Sequence, residues 1–526
     1  MKTTTERFEV PRLQLRDCLL FLFLLAPNFL CAAGFRAGAA VGDITPTKWP
    51  EYLVGSFSER GAEKAWDPLS ARALVMDDGE TRLAIVIVDS YLIPRALFDE
   101  VKRRASKLTG IRSDHMLMAA THTHSAPASL DRMFAKASDE YLEVLKSGIV
   151  KAIEQANANL EPAEVGWGQI DVPEHVHNRR WHMKSGGIVP NPFGETTDQV
   201  RMNPPRGRGL LDRPAGPTDP QVSFISVRAK GGRPIVLLAK YSLHYVGGVP
   251  AGGVSADYFG EFARQIKQRI TPEEDDANPP FVGIMSNGTS GDINNINFRN
   301  PQPGKKPFEQ IRHVATSVAD EVVQVYKKTK HRESITLAMA QRELTLDIRK
   351  PTSEQLARAE RFLAEPEESK LPRLAKAYAE FAIELSNRPP TEDLILQAIR
   401  IGDVGIASIP CEVFVEIGLA IKDRSPLETT ITIELANGWN RYLPTPRQHR
   451  LGGYETWLGT NMLEIRASEK IERVVLELLR EVSRGEPKRS ESQSKKAHAF
   501  AKARRSRPHE RTTLWAESRT SSTSRW

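Results

Sequence analysis

Two histidines one residue apart, His122 and His124, stand in Thr121-His122-Thr123-His124-Ser125-Ala126-Pro127, at the end of a strand-like run over 114–120. In extended backbone, residues i and i+2 point to the same side, so this spacing predicts two imidazoles facing one cleft. Imidazole is the commonest protein ligand for zinc, and a strand end closed by a proline-bearing turn holds such a ligand rigidly. The same pattern also describes two hydrogen-bonded histidines at a strand terminus, so a metal site requires further ligands elsewhere in the chain.

Other apolar strands end on residues of the same chemical kind. His244 follows the run 234–241, Glu412 follows 404–409, and Tyr442 and Tyr454 lie beyond 431–435. Active sites of open α/β sheets sit at strand ends, and a mononuclear metal site leaves this pattern. Two imidazoles, one carboxylate and one weaker ligand make a hydrolytic zinc site with a position for water, whose pKa the metal lowers toward neutrality. Taken singly, each residue has a plainer reading: a hydrogen-bonded histidine, a glutamate capping a helix, packed tyrosines.

The elements that position these residues read as an α/β fold of mixed β-sheet layers flanked by helices, with the metal site at strand ends. Residues 69–76 and 82–89 form a hairpin across Asp77-Asp78-Gly79-Glu80, and its second strand is apolar on both faces, which predicts burial on both. Helical spacing covers 94–108 and 138–160, the latter with an inner stripe of Tyr141, Leu145, Ile149 and Ile153. A strand pair over 220–227 and 234–241 turns at Gly231-Gly232; a helix over 259–270 and a buried strand over 281–285 follow. Residues 352–385 read as a charged helical excursion over the surface, 396–401 and 404–409 as strands, and 464–482 as a closing helix. There are no internal repeats and no glycine-rich phosphate loop.

The two ends differ from the body. Lys2, Arg7, Arg12 and Arg16 precede the apolar run 18–26 and then Cys31-Ala32-Ala33, the charged, apolar and small-residue regions of a secretory signal over 1–33. Export to the periplasm or the medium is therefore expected; Asn28-Phe29-Leu30 is a poor approach to lipidation at Cys31. Beyond the leader only Cys411 remains, so no intrachain disulfide is expected. The chain's net charge of +7 resides in residues 484–526, where twelve Lys/Arg face four Asp/Glu, leaving the rest at −1. This Ser/Arg/Lys-rich tail is expected to be disordered and suits only weak contact with anionic envelope surfaces. Nucleic-acid binding is excluded as a reading of the basic pI, because the folded body, expected over 34–483, does not carry the charge.

The collinear blocks Ala40-Val41-Gly42-Asp43-Ile44-Thr45-Pro46, Asp67-Pro68-Leu69-Ser70-Ala71-Arg72-Ala73-Leu74, Thr121 to Pro127, Asp219-Pro220, Tyr241-Ser242-Leu243-His244, Ser290-Gly291-Asp292, Pro410-Cys411-Glu412 and Gly453-Tyr454-Glu455 resemble the neutral/alkaline, non-lysosomal ceramidase family. The resemblance implies one zinc ion held by His122, His244, Glu412 and Tyr442. It implies His124 as acid/base histidine, Tyr454 as donor to the developing oxyanion and Arg179 as a substrate-contacting cation. Two departures stand out: where the family has serine in Gly-Asp-Val-Ser-Pro-Asn, this chain has Asn294, and no C-terminal β-sandwich is expected after the body. An amide is no acyl-forming nucleophile, but it can hydrogen-bond a substrate or the attacking water. The resemblance thus implies a secreted zinc amidohydrolase of an N-acyl bond, with water as nucleophile and a lipid or small-molecule amide as substrate. A zinc esterase or deacetylase on envelope carbohydrate, or a catalytically silent ligand-binding scaffold, is the alternative. His2GluTyr ligation also suits iron or manganese.

Overall fold

The computed structural model describes residues 34–207, 209–271, 278–366 and 369–484. The expected leader, and the expected tail apart from Arg484, lie outside the described residues. Eight strands form one mixed sheet: β1 (Arg36–Asp43), β2 (Ser70–Asp77), β3 (Arg82–Val88), β4 (Met116–Ala120), β5 (Glu161–Asp171), β6 (Gln221–Ala229), β7 (Pro234–Tyr241) and β8 (Val282–Asn287). Their order is β8-β7-β6-β5-β1-β2-β3-β4, antiparallel except for the parallel outer pairs β7–β8 and β3–β4. A second sheet runs β9 (Leu337–Asp347), β10 (Thr391–Ile401), β11 (Val404–Ile409) and β12 (Thr429–Glu434), with β11 and β12 parallel.

The two sheets pack face to face. Ile85, Ile87, Leu117, Val236 and Ile284 of the large sheet meet Ile399, Ile401, Ile406, Ile431 and Ile433 of the small one. The alternate residues of β3, Ala84, Val86 and Val88, point the other way, toward helices α1 (Arg95–Thr109) and α2 (Asp139–Ala158). Helices α3 (Asp257–Ile270) and α4 (Glu309–Tyr326) cover the other half of that face. The period of two thus sends successive side chains into two different cores, which is why β3 reads as one unbroken apolar run. The remaining helices include α5 (Ser353–Ala364), α6 (Ala375–Asn387), α7 (Val415–Arg424) and α8 (Ala467–Ser483), of which α7 and α8 back the small sheet. The result is a helix–sheet–sheet–helix sandwich, the mixed α/β layering expected, and among the described residues α8 is its last element.

Two expectations need correction. Residues 352–385 are not one surface excursion: α5 and α6 are separate helices, the first opened by a Thr352–Gln355 capping box. Pro366 and Pro372 fall between them, where proline disfavours continuation. Helix α6 also buries Tyr378, Phe381 and Leu385, so it walls the cleft described below. Strand β5, central in the large sheet, escapes the sequence reading because it carries Pro162, Gly166 and Gly168. Close packing explains the last of these, since a Cβ on Gly168 would lie 2.7 Å from the Phe224 ring.

The sheets are stitched together where β4 ends. Ala120 donates its amide to Leu435 O (3.2 Å) and Asn437 its amide to Met118 O (2.7 Å), bringing the ends of β4 and β12 side by side. On the other side of the site, Asp219 anchors the turn into His244: it accepts Lys240 Nζ (2.8 Å), Lys422 Nζ (2.9 Å) and Ser242 Oγ (3.2 Å). Burial works to raise the Asp219 carboxyl, but the two ammonium groups outweigh it and hold it well below the usual carboxylate range. Its charge therefore stabilises the fold above the ordinary aspartate pKa, and that contribution fades as pH falls through the depressed one. Asp219→Asn, which leaves Lys240 buried without its counter-charge, is expected to cost about 3–5 kcal/mol in urea unfolding at neutral pH. The gap to wild type should narrow in strong acid; an unchanged midpoint at neutral pH would show that the cluster contributes nothing.

Candidate metal centre

His122 does not lie in extended backbone, as the two-residue period assumed. Its φ is +72°, in the left-handed region that non-glycine residues seldom occupy. The turn 90–91 holds it there: His122 N donates to Ser90 O (2.8 Å), its Nδ1 meets Tyr91 O (2.7 Å), and the Tyr91 ring stacks on the imidazole at 4.5 Å. The convergence with His124 is real, but a kinked strand end produces it rather than the pleat.

All three clustered histidines are tethered alike. Nδ1 of His122 faces Tyr91 O, Nδ1 of His124 faces Gly55 O (3.0 Å), and Nδ1 of His244 faces Ser290 O (3.2 Å). A carbonyl only accepts, so each Nδ1 is the N–H and each Nε2 carries a lone pair. Those lone pairs converge: Nε2 of His122 and His124 are 3.2 Å apart, and the ligand atoms of His122, His124 and His244 lie within 4.8 Å of one another. His244 Nε2 is buried and has no hydrogen-bond partner among the described residues. Burial foremost, and the neighbouring His122 next, push the His124 and His244 imidazoles well below the ordinary histidine range, keeping both neutral. Buried lone pairs aimed at one point are what a cation satisfies, so the group fits a metal ion.

Glu412 and Tyr442 reach the same point from the small-sheet side. They pair directly in a short parallel bridge, Glu412–Val413 against Tyr442–Leu443. Glu412 Oε1 accepts Trp439 Nε1 (3.1 Å), while Oε2 has no hydrogen-bond partner among the described residues and lies 3.4 Å from His122 Nε2. Burial alone would raise this carboxyl, but the His122 imidazole beside it, with the polar groups of Tyr442 and Trp439, outweighs burial and holds Glu412 below the usual range. Burial, reinforced by Glu412, pushes the Tyr442 and Tyr454 phenols up, so both stay protonated donors. Behind the ligands, Glu434 accepts Ser290 Oγ (2.7 Å) and Val413 N (2.6 Å), fixing the partner of His244 and the turn bearing Glu412 with one carboxylate.

The structure thus gathers His122, His124, His244, Glu412, Tyr442 and Tyr454. Arg179 stands behind them. It donates to Glu455 Oε1 (2.9 Å) and Gly291 O (2.8 Å) and lies 5.4 Å over the Tyr442 ring. Arg180 donates to the other oxygen of Glu455 (2.6 Å), so neither arginine is a surface charge. Asn294 pairs with His177 in a short bridge and donates to Asn203 (3.2 Å); among the described residues none of its hydrogen bonds reaches His122, His124 or His244. A pocket of about 100 Å³ opens over the centre, lined by His124, Glu412, Tyr442 and Tyr454 and by apolar Leu53, Val54, Phe57 and Phe134.

Sequence reasoning misses Gly55, Tyr91, Tyr245 and Trp439. Tyr245, whose ring stacks on His124 at 3.7 Å, is the immediate neighbour of His244, and Trp439 stands three residues before Tyr442; adjacency to a ligand was their signal. Gly55 and Tyr91 act through backbone carbonyls, which carry no side-chain signature.

The sequence profile described as neutral/alkaline non-lysosomal ceramidase, N-terminal, matches residues 35–305. The chain is 24% identical over 314 residues to the neutral ceramidase of Pseudomonas aeruginosa, covering 56% of this chain and 42% of that protein. It is 22% identical over 292 residues to the neutral ceramidase of Drosophila melanogaster, covering 52% and 38%. The chain therefore spans about two fifths of the length of these curated relatives. Its fold is similar to the crystal structure of the P. aeruginosa neutral ceramidase, with a TM-score of 0.65 at 18% identity over 87% of this chain and 76% of that one. A ceramidase complexed with C2 gives a TM-score of 0.66 at 16% identity over the same shares.

Gly55 offers a test of the tether. At its φ of +91° an added Cβ would sit 2.6 Å from His124 Nδ1. Gly55→Ala is expected to displace His124 and disturb the neutral tautomer that the Gly55 carbonyl selects. The nitrogen NMR shifts of the His124 ring measure it; wild-type shifts would mean that the Gly55 carbonyl does not orient the imidazole.

Proposed function

The chain belongs to the neutral/alkaline non-lysosomal ceramidase family, and we propose on that basis that it is a zinc-dependent hydrolase of an N-acyl amide bond, in ceramide or another N-acylated lipid or sugar. The observation that carries this reading is the set of three carbonyl-tethered imidazoles with Nε2 lone pairs turned to one point beside Glu412 Oε2. His122, His244, Glu412 and Tyr442 would hold the ion. Bound there, zinc supplies Lewis acidity toward the amide carbonyl and toward water.

The chain's own groups account for the rest. Water adds to the carbonyl carbon, the C–N bond breaks, and the departing amine needs a proton. His124, neutral and with Nδ1 committed to Gly55, has only Nε2 free to take a proton from the water and pass it to the amine. Tyr454, protonated and lining the pocket, donates to the oxyanion that forms. Arg179, held by Glu455 and Gly291, fixes the Tyr442 ring from behind, a positioning role rather than the substrate contact that the resemblance implies. Asn294 leaves no side-chain nucleophile at the family's serine position, which favours water. Export through residues 1–33 belongs to the same proposal and suits an envelope or extracellular substrate; no helix among the described residues is long and apolar enough to cross a membrane.

Metal analysis of the purified protein, alongside fatty-acid release from a fluorescent ceramide and from simpler N-acyl amides, tests the reading. About one zinc per chain and chelator-sensitive cleavage are expected. His122→Ala should lose both, and Tyr454→Phe should lower kcat by roughly 10²- to 10³-fold with zinc retained. Stoichiometric zinc and full hydrolysis in His122→Ala would sink the assignment.

A further inference from the structure

Away from the metal centre, one more buried imidazole carries a nitrogen that nothing satisfies. His175 closes the turn Pro173–His175 that follows β5; it is 3% exposed, and its Nε2 has no hydrogen-bond partner among the described residues. Glu174 Oε1 lies 3.6 Å from that nitrogen, too far for a hydrogen bond. A buried polar atom without a partner destabilises the fold, so a further group belongs at this point.

Helix α4 supplies the neighbours. Its residues 313 and 317 are four apart and so share one face. Ser317 Oγ donates to Glu174 Oε1 (2.9 Å), which orients that carboxylate, and the His313 ring stands edge-on to His175 with ring centres 5.3 Å apart. His313 is exposed and changes rotamer readily, whereas burial fixes His175. Burial, the largest effect, lowers the His175 imidazole to about 4; His313, His177 and Lys305 act in the same direction and Glu174 against it. Burial would raise the Glu174 carboxyl, but its own backbone amide, Ser317 and the two imidazoles beside it hold it below the usual range. At neutral pH His175 therefore offers a lone pair and Glu174 a negative charge. Ligand atoms on a tetrahedral zinc ion stand roughly 3.3–3.6 Å from one another, given bonds of about 2.0–2.2 Å. The separation of His175 Nε2 from Glu174 Oε1 falls in that range.

We propose that Glu174, His175 and His313 form a second cation site, which takes zinc or a similar divalent transition-metal ion, with His313 turning in as third ligand and water completing the shell. Two imidazoles and a carboxylate are a zinc ligand set, and the Ser317 hydrogen bond to Glu174 is the kind of outer contact that orients a ligating carboxylate. An ion bound there clamps the turn Pro173–His175 to α4. The chain runs on from that turn to Arg179, so the clamp steadies the segment that packs behind Tyr442.

The test is a calorimetric zinc titration of the full chain, with metal content read by mass spectrometry and folding by circular dichroism. Wild type is expected to take up about one ion beyond whatever the centre at His122 holds. His122→Ala should lose the ion of that centre and keep this one. His313→Ala, a change at an exposed position, and Glu174→Gln should each weaken the additional site at least roughly tenfold, since loss of an outer-shell partner alone costs that much, and leave the other ion in place. Ring-nitrogen NMR shifts of His175 and His313 should move as the additional ion binds. Zinc uptake that is the same in wild type, His313→Ala and Glu174→Gln would overturn the proposal. So would the loss of all zinc in folded His122→Ala, or His175 shifts that added zinc leaves unmoved.

Discussion

Three backbone carbonyls, those of Gly55, Tyr91 and Ser290, decide what this protein can do. Each takes the Nδ1–H of one histidine, and each belongs to a different segment of the chain. Without them the imidazoles could adopt either tautomer and turn their lone pairs outward; with them, three Nε2 atoms are obliged to share one buried space. Burial makes protonation of His124 and His244 costly, so a cation is the cheaper way to relieve the crowding of lone pairs. The strained backbone of His122, the close approach of Gly55 and the Ser290–Glu434 contact are all consequences of holding those carbonyls in place.

The layered fold exists in a form that permits this. The ends of β4 and β7 lie in the large sheet and those of β11 and β12 in the small one, and face-to-face packing with β4 stitched to the chain after β12 brings all four ends together. Ligands from the two sheets therefore meet across an interface whose apolar residues exclude water, where electrostatic interactions are strong. Glu434 and Asp219 show how the rigidity is transmitted: each carboxylate ties together segments far apart in sequence, and each is buried. The Arg179–Glu455–Arg180 cluster performs the same service for Tyr442 and Tyr454.

The boundaries of the cleft are built from less regular parts. Helix α6 contributes Phe381 and Tyr378, the loop 53–57 contributes Phe57, and the segment 132–135 contributes Arg132 and Phe134. Such segments share no common period and are ordered by contacts with distant parts of the chain, Tyr378 by Thr460 and Glu384 by Arg441, which is why residues 352–385 read from sequence as a solvated excursion. The Ala and aromatic residues of α6 that face inward are interleaved with Lys376, Glu380 and Glu384, so composition masks the stripe.

What the sequence by itself determined was the kind of residue and the kind of element. Strands apolar on both faces required layers on both sides, and His122, His124, His244, Glu412, Tyr442 and Tyr454 were legible because each follows a strand or a conspicuous turn and belongs to the small set of side chains that bind metal. Periodicity reports a residue's face within its own element and nothing beyond it. The tertiary structure alone decided that β4 and β12 lie side by side, that His122 is kinked, that Arg179 and Arg180 share a buried glutamate, and that backbone carbonyls select the tautomers. These are contacts between segments up to hundreds of residues apart, and main-chain oxygens are the same in every sequence, so no local pattern encodes them.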